Sequence, residues 1–105
     1  MSRTAASPTK AAFTRIQEIL GRGAGPDRMP REVDAIIVRL REQGDAEQVQ
    51  EWLEELRDGF AENVGSAYES IEEIESSEKA ARAKAEKAAR AMEAARDAFG
   101  RALAG

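Results

Sequence analysis

Carboxylates are the side chains of this chain that could do chemistry, because the sequence contains no histidine and no cysteine. The densest group is Glu69, Glu72, Glu73 and Glu75, which spans about one and a half to two turns of a predicted helix. Two carboxylates can act as a general acid and base when burial or a neighbouring charge shifts the pKa of one of them. These glutamates fall on the polar side of their predicted helix, which offers no such burial. We therefore expect no enzymatic activity and no small-molecule substrate.

Cofactor and metal sites also lack the residues they need. A metal site in the core of a helical bundle combines Glu-x-x-His motifs from facing helices, which a chain without histidine cannot build. The glycine-rich stretch at residues 21–26 could suggest a phosphate-binding loop with Arg22 as its charge. However, no predicted strand precedes it and no Gly-Lys-Ser/Thr follows it. We interpret it as a helix end followed by a connector, and expect no cofactor and no metal.

Charge is strongly segregated along the chain. Residues 1–44 carry a net charge of +3, residues 45–78 carry −11, and residues 79–105 carry +4. Arg57 is the one basic residue of the acidic segment. Such a segment favours a partner protein with a basic surface. The predicted binding site is the acidic face, made of Glu51, Glu54, Glu55, Asp58, Glu62, Glu69, Glu72 and Glu73.

Helix signals recur along the first two thirds of the chain. Ser7 followed by Pro8 predicts the start of a helix over residues 8–21, and Pro30 the start of another over 30–43. Asp45 with glutamine three residues later is typical of a capping box and predicts a third helix over 45–64. Because two glycines, Gly59 and Gly65, lie within seven residues, we expect a break at 65–66 before a fourth helix over 66–103. The alternative is a helix that runs through, because an apolar stripe of helical spacing continues from Phe60 to Ile71.

The fourth predicted helix carries a heptad pattern. Its core positions alternate in steps of three and four residues from Ile71 to Phe99, and neither glycine nor proline occurs from Ser66 to Phe99. This spacing is typical of a helix that presents a narrow seam to another helix. Four of the eight seam positions are alanine, which allows helices to approach closely. The predicted seam is Ile71, Ile74, Ala81, Ala85, Ala88, Met92, Ala95 and Phe99.

These patterns predict an all-α fold, a small bundle of about four helices with a long alanine-rich C-terminal helix of coiled-coil character. Residues 1–6 are expected to be disordered, residues 7–65 to form a compact helical cluster, and residues 66–105 to form the long helix. The seam predicts a homodimer through this helix. The basic segment 79–105 is expected to prefer the acidic segment 45–78, either by folding back or in an antiparallel dimer. A solvated single helix is the third possibility.

Nucleic acid is an unfavourable partner. Helix, glycine, helix over residues 30–60 resembles the spacing of a helix-turn-helix, but the second helix is strongly acidic and phosphates would repel it. The basic residues of the last segment are spread around the helix and interrupted by Glu86, Glu93 and Asp97. We expect no tight duplex binding, although a DNA-associated accessory protein remains an alternative function.

The sequence thus predicts a non-catalytic protein-binding or oligomerisation module that acts through an acidic helical surface. The first alternative is a small acidic inhibitor, of phage or plasmid type, that imitates nucleic acid and blocks a basic groove on a nucleic-acid-handling machine. No apolar run approaches the roughly 18 residues that span a bilayer, and residues 1–10 lack the apolar region of an export signal. We therefore expect no membrane association and a cytoplasmic location.

Overall fold

Four helices and no strand make up residues 7–104, the part of the chain that the computed structural model describes. The helices are α1 (Pro8–Gly21), α2 (Met29–Gln43), α3 (Ala46–Glu72) and α4 (Lys79–Ala104). The prediction of a small all-α bundle is confirmed. The disorder predicted for residues 1–6 concerns residues outside the described range. None of the helices over residues 7–104 is long and apolar enough to cross a membrane.

Capping side chains set the start of α1 and α3. The Ser7 hydroxyl accepts a hydrogen bond from the backbone N–H of Lys10, and proline occupies the first turn of α1. At the start of α3, the Asp45 carboxylate accepts from the Gln48 N–H at 2.9 Å, and the Gln48 side chain accepts from the Asp45 N–H at 3.0 Å. This reciprocal pair satisfies two donors that a helix start leaves free. The predicted caps of these two helices are confirmed.

The helix break predicted at residues 65–66 is wrong, because α3 runs without interruption to Glu72. Gly65 has an ordinary helical backbone and lies on the exposed side of α3. On either side of it, Val64 and Ile71 are buried, each with 6% of its surface exposed. Glycine costs a helix about 1 kcal/mol relative to alanine, and burial of these two side chains offsets that cost.

The actual break lies at residues 73–78, where the heptad pattern predicted a continuous helix. The last turn of α3 contains no basic residue and is followed by further acidic residues, an arrangement that opposes the helix dipole. Ser76 and Ser77, both poor helix formers, lie between Glu75 and Glu78, whose carbonyl and N–H are joined by a hydrogen bond of 2.9 Å.

The side chain of Arg82, in α4, stabilises this turn by hydrogen bonds to two backbone carbonyls. Its Nη1 donates to the carbonyl oxygen of Ile71 at 3.1 Å and to that of Ile74 at 2.9 Å. These carbonyls lie where α3 ends and accept no hydrogen bond from an N–H four residues later, although that of Ile71 also accepts from the N–H of Ile74 at 3.1 Å. Reversal of the chain also lets α4 bury its apolar side, which a straight extension of α3 would leave in water. Packing of α4 therefore decides where α3 ends.

The core is centred on three aromatic rings that join α1, α3 and α4. The ring centroids of Phe13 and Phe60 are 4.3 Å apart, and those of Phe60 and Phe99 are 6.0 Å apart. Gly59 permits the first contact, since a Cβ at this position would lie 2.6 Å from Cε2 of Phe13. Other apolar side chains fill the space around the rings, and the largest fully buried ones are Ile16, Met29, Val33 and Leu56. The core thus holds α3 against α1 on one flank and α4 on another.

Candidate functional site

The α3 helix separates its apolar and acidic residues onto opposite sides. Its buried residues recur every three or four positions, as expected for one side of a helix. Seven of the eight predicted acidic-face residues lie in α3, and all eight are exposed. Glu73 is the exception in position, because it lies in the turn that follows α3. The acidic face is therefore mainly the outer side of one helix.

Helix geometry brings these carboxylates into a narrow line. At about 100° per residue, they fall within an arc of about 100° that points almost directly away from the buried side of α3. Glu47 lies in the same arc, four residues before Glu51, and is also exposed. We call this line the α3 acidic stripe: Glu47, Glu51, Glu54, Glu55, Asp58, Glu62, Glu69 and Glu72. At 1.5 Å per residue it is about 38 Å long.

Glu47 was not among the predicted site residues. The signal that could have found it is the phase of the helix, since it precedes Glu51 by one turn. Gly65 marks the main gap in the stripe, between Glu62 and Glu69. A side chain placed at Gly65 would point into the same exposed arc and would meet no atom within 4 Å.

Most of the stripe has no ion-pair partner within residues 7–104. Every ion pair in this range joins residues at most four positions apart in the sequence, so none links α3 to α4. Asp58 alone among the stripe residues takes part, with its Oδ1 at 3.0 Å from Nε of the neighbouring Arg57. Both side chains are well exposed, so this pair contributes little to stability. The remaining carboxylates are free to attract a cationic surface.

The basic segment does fold back along α3, as one of the predicted arrangements proposed. However, the contact is mainly apolar, because the stripe points away from α4 and no carboxylate of α3 pairs with a cation of α4 in the described residues. The polar contacts between these helices are a hydrogen bond of 3.1 Å from the Tyr68 hydroxyl to Oε1 of Glu93 and the bond, also of 3.1 Å, from Nη1 of Arg82 to the carbonyl oxygen of Ile71. Within the described residues, no ion pair therefore supports the expectation that opposite charges draw the basic and acidic segments together.

The predicted seam lies partly within the α3–α4 contact of one chain. Its most deeply placed members are Ile71, Ala95 and Phe99, which are buried, while Ala81 is exposed. The other members, Ile74, Ala85, Ala88 and Met92, are half-buried.

The buried side of α4 is also wider than the predicted seam. Ala89, Ala91 and Ala98, which flank it, are buried as well. Because α4 packs against α2 as well as α3, its buried side is wider than the seam between two helices. Sequence periodicity could not show this, since alanine is common on both buried and exposed helix surfaces.

No metal-ligand cluster marks a reactive centre among residues 7–104, since no group of three or more carboxylates there is placed to hold a metal ion. Partial burial raises the pKa of Tyr68 above its usual value of 10.0, and the hydrogen bond to Glu93 and the charge of that carboxylate raise it further. A neutral hydroxyl of this kind is a poor general base at neutral pH. Comparison with known proteins adds no assignment, because no family model, no curated protein and no solved structure matches the chain.

Proposed function

We propose that the protein is a non-catalytic binding module that docks its α3 acidic stripe on a basic surface of a partner protein. The observation that carries this proposal is the row of eight exposed carboxylates, of which Asp58 alone has an ion-pair partner within residues 7–104. Lining up like charges on one helix is unfavourable for stability. Such an arrangement is most useful where a partner supplies the opposite charge.

Rigidity of α3 supports the same proposal. The helix is capped at its start by Asp45, held by Phe13 of α1 through the contact at Gly59, and held by Phe99 of α4. A charged line that is already fixed in place loses little conformational entropy when a partner binds, which favours affinity. Long-range attraction between the stripe and a basic surface should also raise the association rate and make it sensitive to salt.

The test compares two variants with the same change in charge. The stripe variant carries Glu51→Gln, Glu55→Gln and Glu62→Gln. The control variant carries Asp27→Asn, Asp34→Asn and Glu42→Gln, which neutralise exposed carboxylates outside α3. Proteins captured from the source cell by the unchanged chain and by the control should be lost with the stripe variant. Equal capture by all three chains would refute the role of the stripe.

A second function is favoured by the spacing of the charges. Eight carboxylates over about 38 Å place one charge about every 5 Å, compared with about 3.4 Å for the phosphates of one DNA strand. The protein could then cover the basic groove of a nucleic-acid-handling machine as an inhibitor. Under this alternative, duplex DNA or RNA added to a captured complex should release the partner in proportion to its concentration. Capture that persists in saturating nucleic acid would favour the first function.

A further inference from the structure

The turn between α3 and α4 is made of residues that could equally form a helix. Residues 73–78 contain neither glycine nor proline, and no non-glycine residue in the described range has a positive φ. Many helices end in a left-handed residue, usually glycine, which resists conversion to helix. Here the turn is held by the Glu75–Glu78 backbone bond and by Arg82, and it contains no residue that forbids a helix.

The heptad phase continues across this turn. Ile71 and Ile74 lie at core positions before it, and Ala85 and Ala88 lie two whole heptads later. If α3 and α4 only had to pack as a hairpin, their heptad positions would not need to stay in phase across the turn. If residues 73–78 were helical, α3 and α4 would form one helix of about 88 Å with a single continuous seam.

The hairpin already uses the register that two such straight helices would use. Phe60 stacks on Phe99, which corresponds to antiparallel pairing about a centre between residues 79 and 80. The same pairing places further core positions opposite one another, namely Ile71 with Ala88 and Ile74 with Ala85. Two copies in which α3 and α4 form one straight helix could pair antiparallel about this centre, an arrangement we call the crossed pair. The contacts that α3 and α4 make within one chain would then form between the two chains.

The first turns of α4 gain a partner in this arrangement. In the hairpin, Ala80, Ala81 and Ala83 are exposed, because α4 begins beyond the point where α3 ends. In the crossed pair they lie beside residues 76–79 of the other chain. Glu75 and Arg82 are seven residues apart and flank the seam at the same heptad position. Arg82 of one copy then lies beside Glu75 of the other, and an ion pair with this carboxylate replaces its hydrogen bonds to two backbone carbonyls.

From these observations we propose that two copies of the chain exchange α4. Residues 73–78 straighten into helix, and α4 of each copy packs against α2 and α3 of the other in an antiparallel dimer. This proposal goes beyond the binding function of the α3 acidic stripe and does not depend on it. Because the core contacts are the same in both states, protein concentration and the helix propensity of residues 73–78 set the balance between monomer and dimer.

The first test changes that propensity at Ser76 and Ser77, which are exposed and lie in the middle of the turn. Replacing both with alanine favours helix at four positions of the dimer and should lower its dissociation constant about thirty-fold. Replacing both with glycine should raise it by a similar factor. Sedimentation equilibrium measures both variants, and circular dichroism checks that each keeps its helices. The two dissociation constants should differ about a thousand-fold.

The second test distinguishes exchange of α4 from association of closed chains. The chain has no cysteine, so Gln50→Cys with Arg101→Cys provides two unique sites for a donor and an acceptor dye. Both residues are exposed and lie at the same end of the hairpin in the closed chain. In a straight chain they are about 77 Å apart. In the alanine background, mixed with excess unlabelled chain, the dimer fraction should lose nearly all energy transfer.

Three results would overturn the proposal. One is an alanine variant that stays monomeric up to about millimolar protein, a thousand times the concentration at which micromolar dimers form. The second is a glycine variant that dimerises as tightly as the alanine variant. The third is a dimer in which the labelled chain keeps the energy transfer of the monomer, because its α4 would then still be packed on its own α3.

Discussion

Replacement of Gly65 by alanine should stabilise the protein. Gly65 lies in the middle of α3 with an ordinary helical backbone, and a Cβ at this position would meet no atom within 4 Å. The substitution therefore adds helix propensity and removes no contact. Alanine is favoured over glycine in an exposed helix interior by about 1 kcal/mol. For a domain of this size, that gain should raise Tm by about 4–8 °C.

The matched control is Gly59→Ala, in the same helix. A Cβ there would lie 2.6 Å from Cε2 of Phe13, whose ring stacks on Phe60 with centroids 4.3 Å apart. Displacing the ring should cost about 1–3 kcal/mol, which exceeds or cancels the gain in propensity. Urea unfolding, followed by far-UV circular dichroism and by the fluorescence of the single tryptophan, measures both free energies of unfolding.

The comparison is decisive for the course of α3. If α3 broke at Gly65 in a left-handed conformation, alanine would be strained there and Gly65→Ala would lower Tm. A lower Tm would therefore refute the continuous helix. Equal gains at Gly65 and Gly59 would instead refute the close approach of Phe13 to α3.

Three further predictions concern the packing and charge of the bundle. Glu93→Ala should lower the pKa of Tyr68, the single tyrosine, in an absorbance titration; an unchanged midpoint would contradict the hydrogen bond. Because folding raises this pKa, the stabilising contribution of Tyr68 should be complete below about pH 10 and be lost as pH rises through its folded-state pKa. Phe60→Leu removes two ring contacts and should lower the free energy of unfolding by about 2 kcal/mol in urea, and a loss below about 0.5 kcal/mol would contradict the stacked core. At about 0.15 M salt, micromolar protein should not shift duplex DNA in a gel, because the α3 acidic stripe repels phosphates, and a persistent shift would show that the basic residues form a continuous surface.

Local signals explain what the sequence could predict. Ser7 and Asp45 cap their helices because a capping side chain satisfies backbone donors within three residues of itself. The placement of acidic residues opposite apolar ones on α3 follows from the helical period alone, which needs no knowledge of neighbouring helices. For the same reason the sequence specified four helices and the outward direction of the stripe residues.

Tertiary contacts decided the rest. Helix propensity and glycine spacing suggested a break at Gly65, whereas α3 continues there because Val64 and Ile71 are buried on either side. The turn at residues 73–78 contains no glycine or proline from which it could be predicted. It depends on hydrogen bonds from Arg82 to backbone carbonyls and on packing of α4 against α2 and α3. A heptad seam indicates that a helix has a partner but cannot say whether the same chain supplies it. That choice depends on the free energy of closing a six-residue turn, which periodicity does not contain.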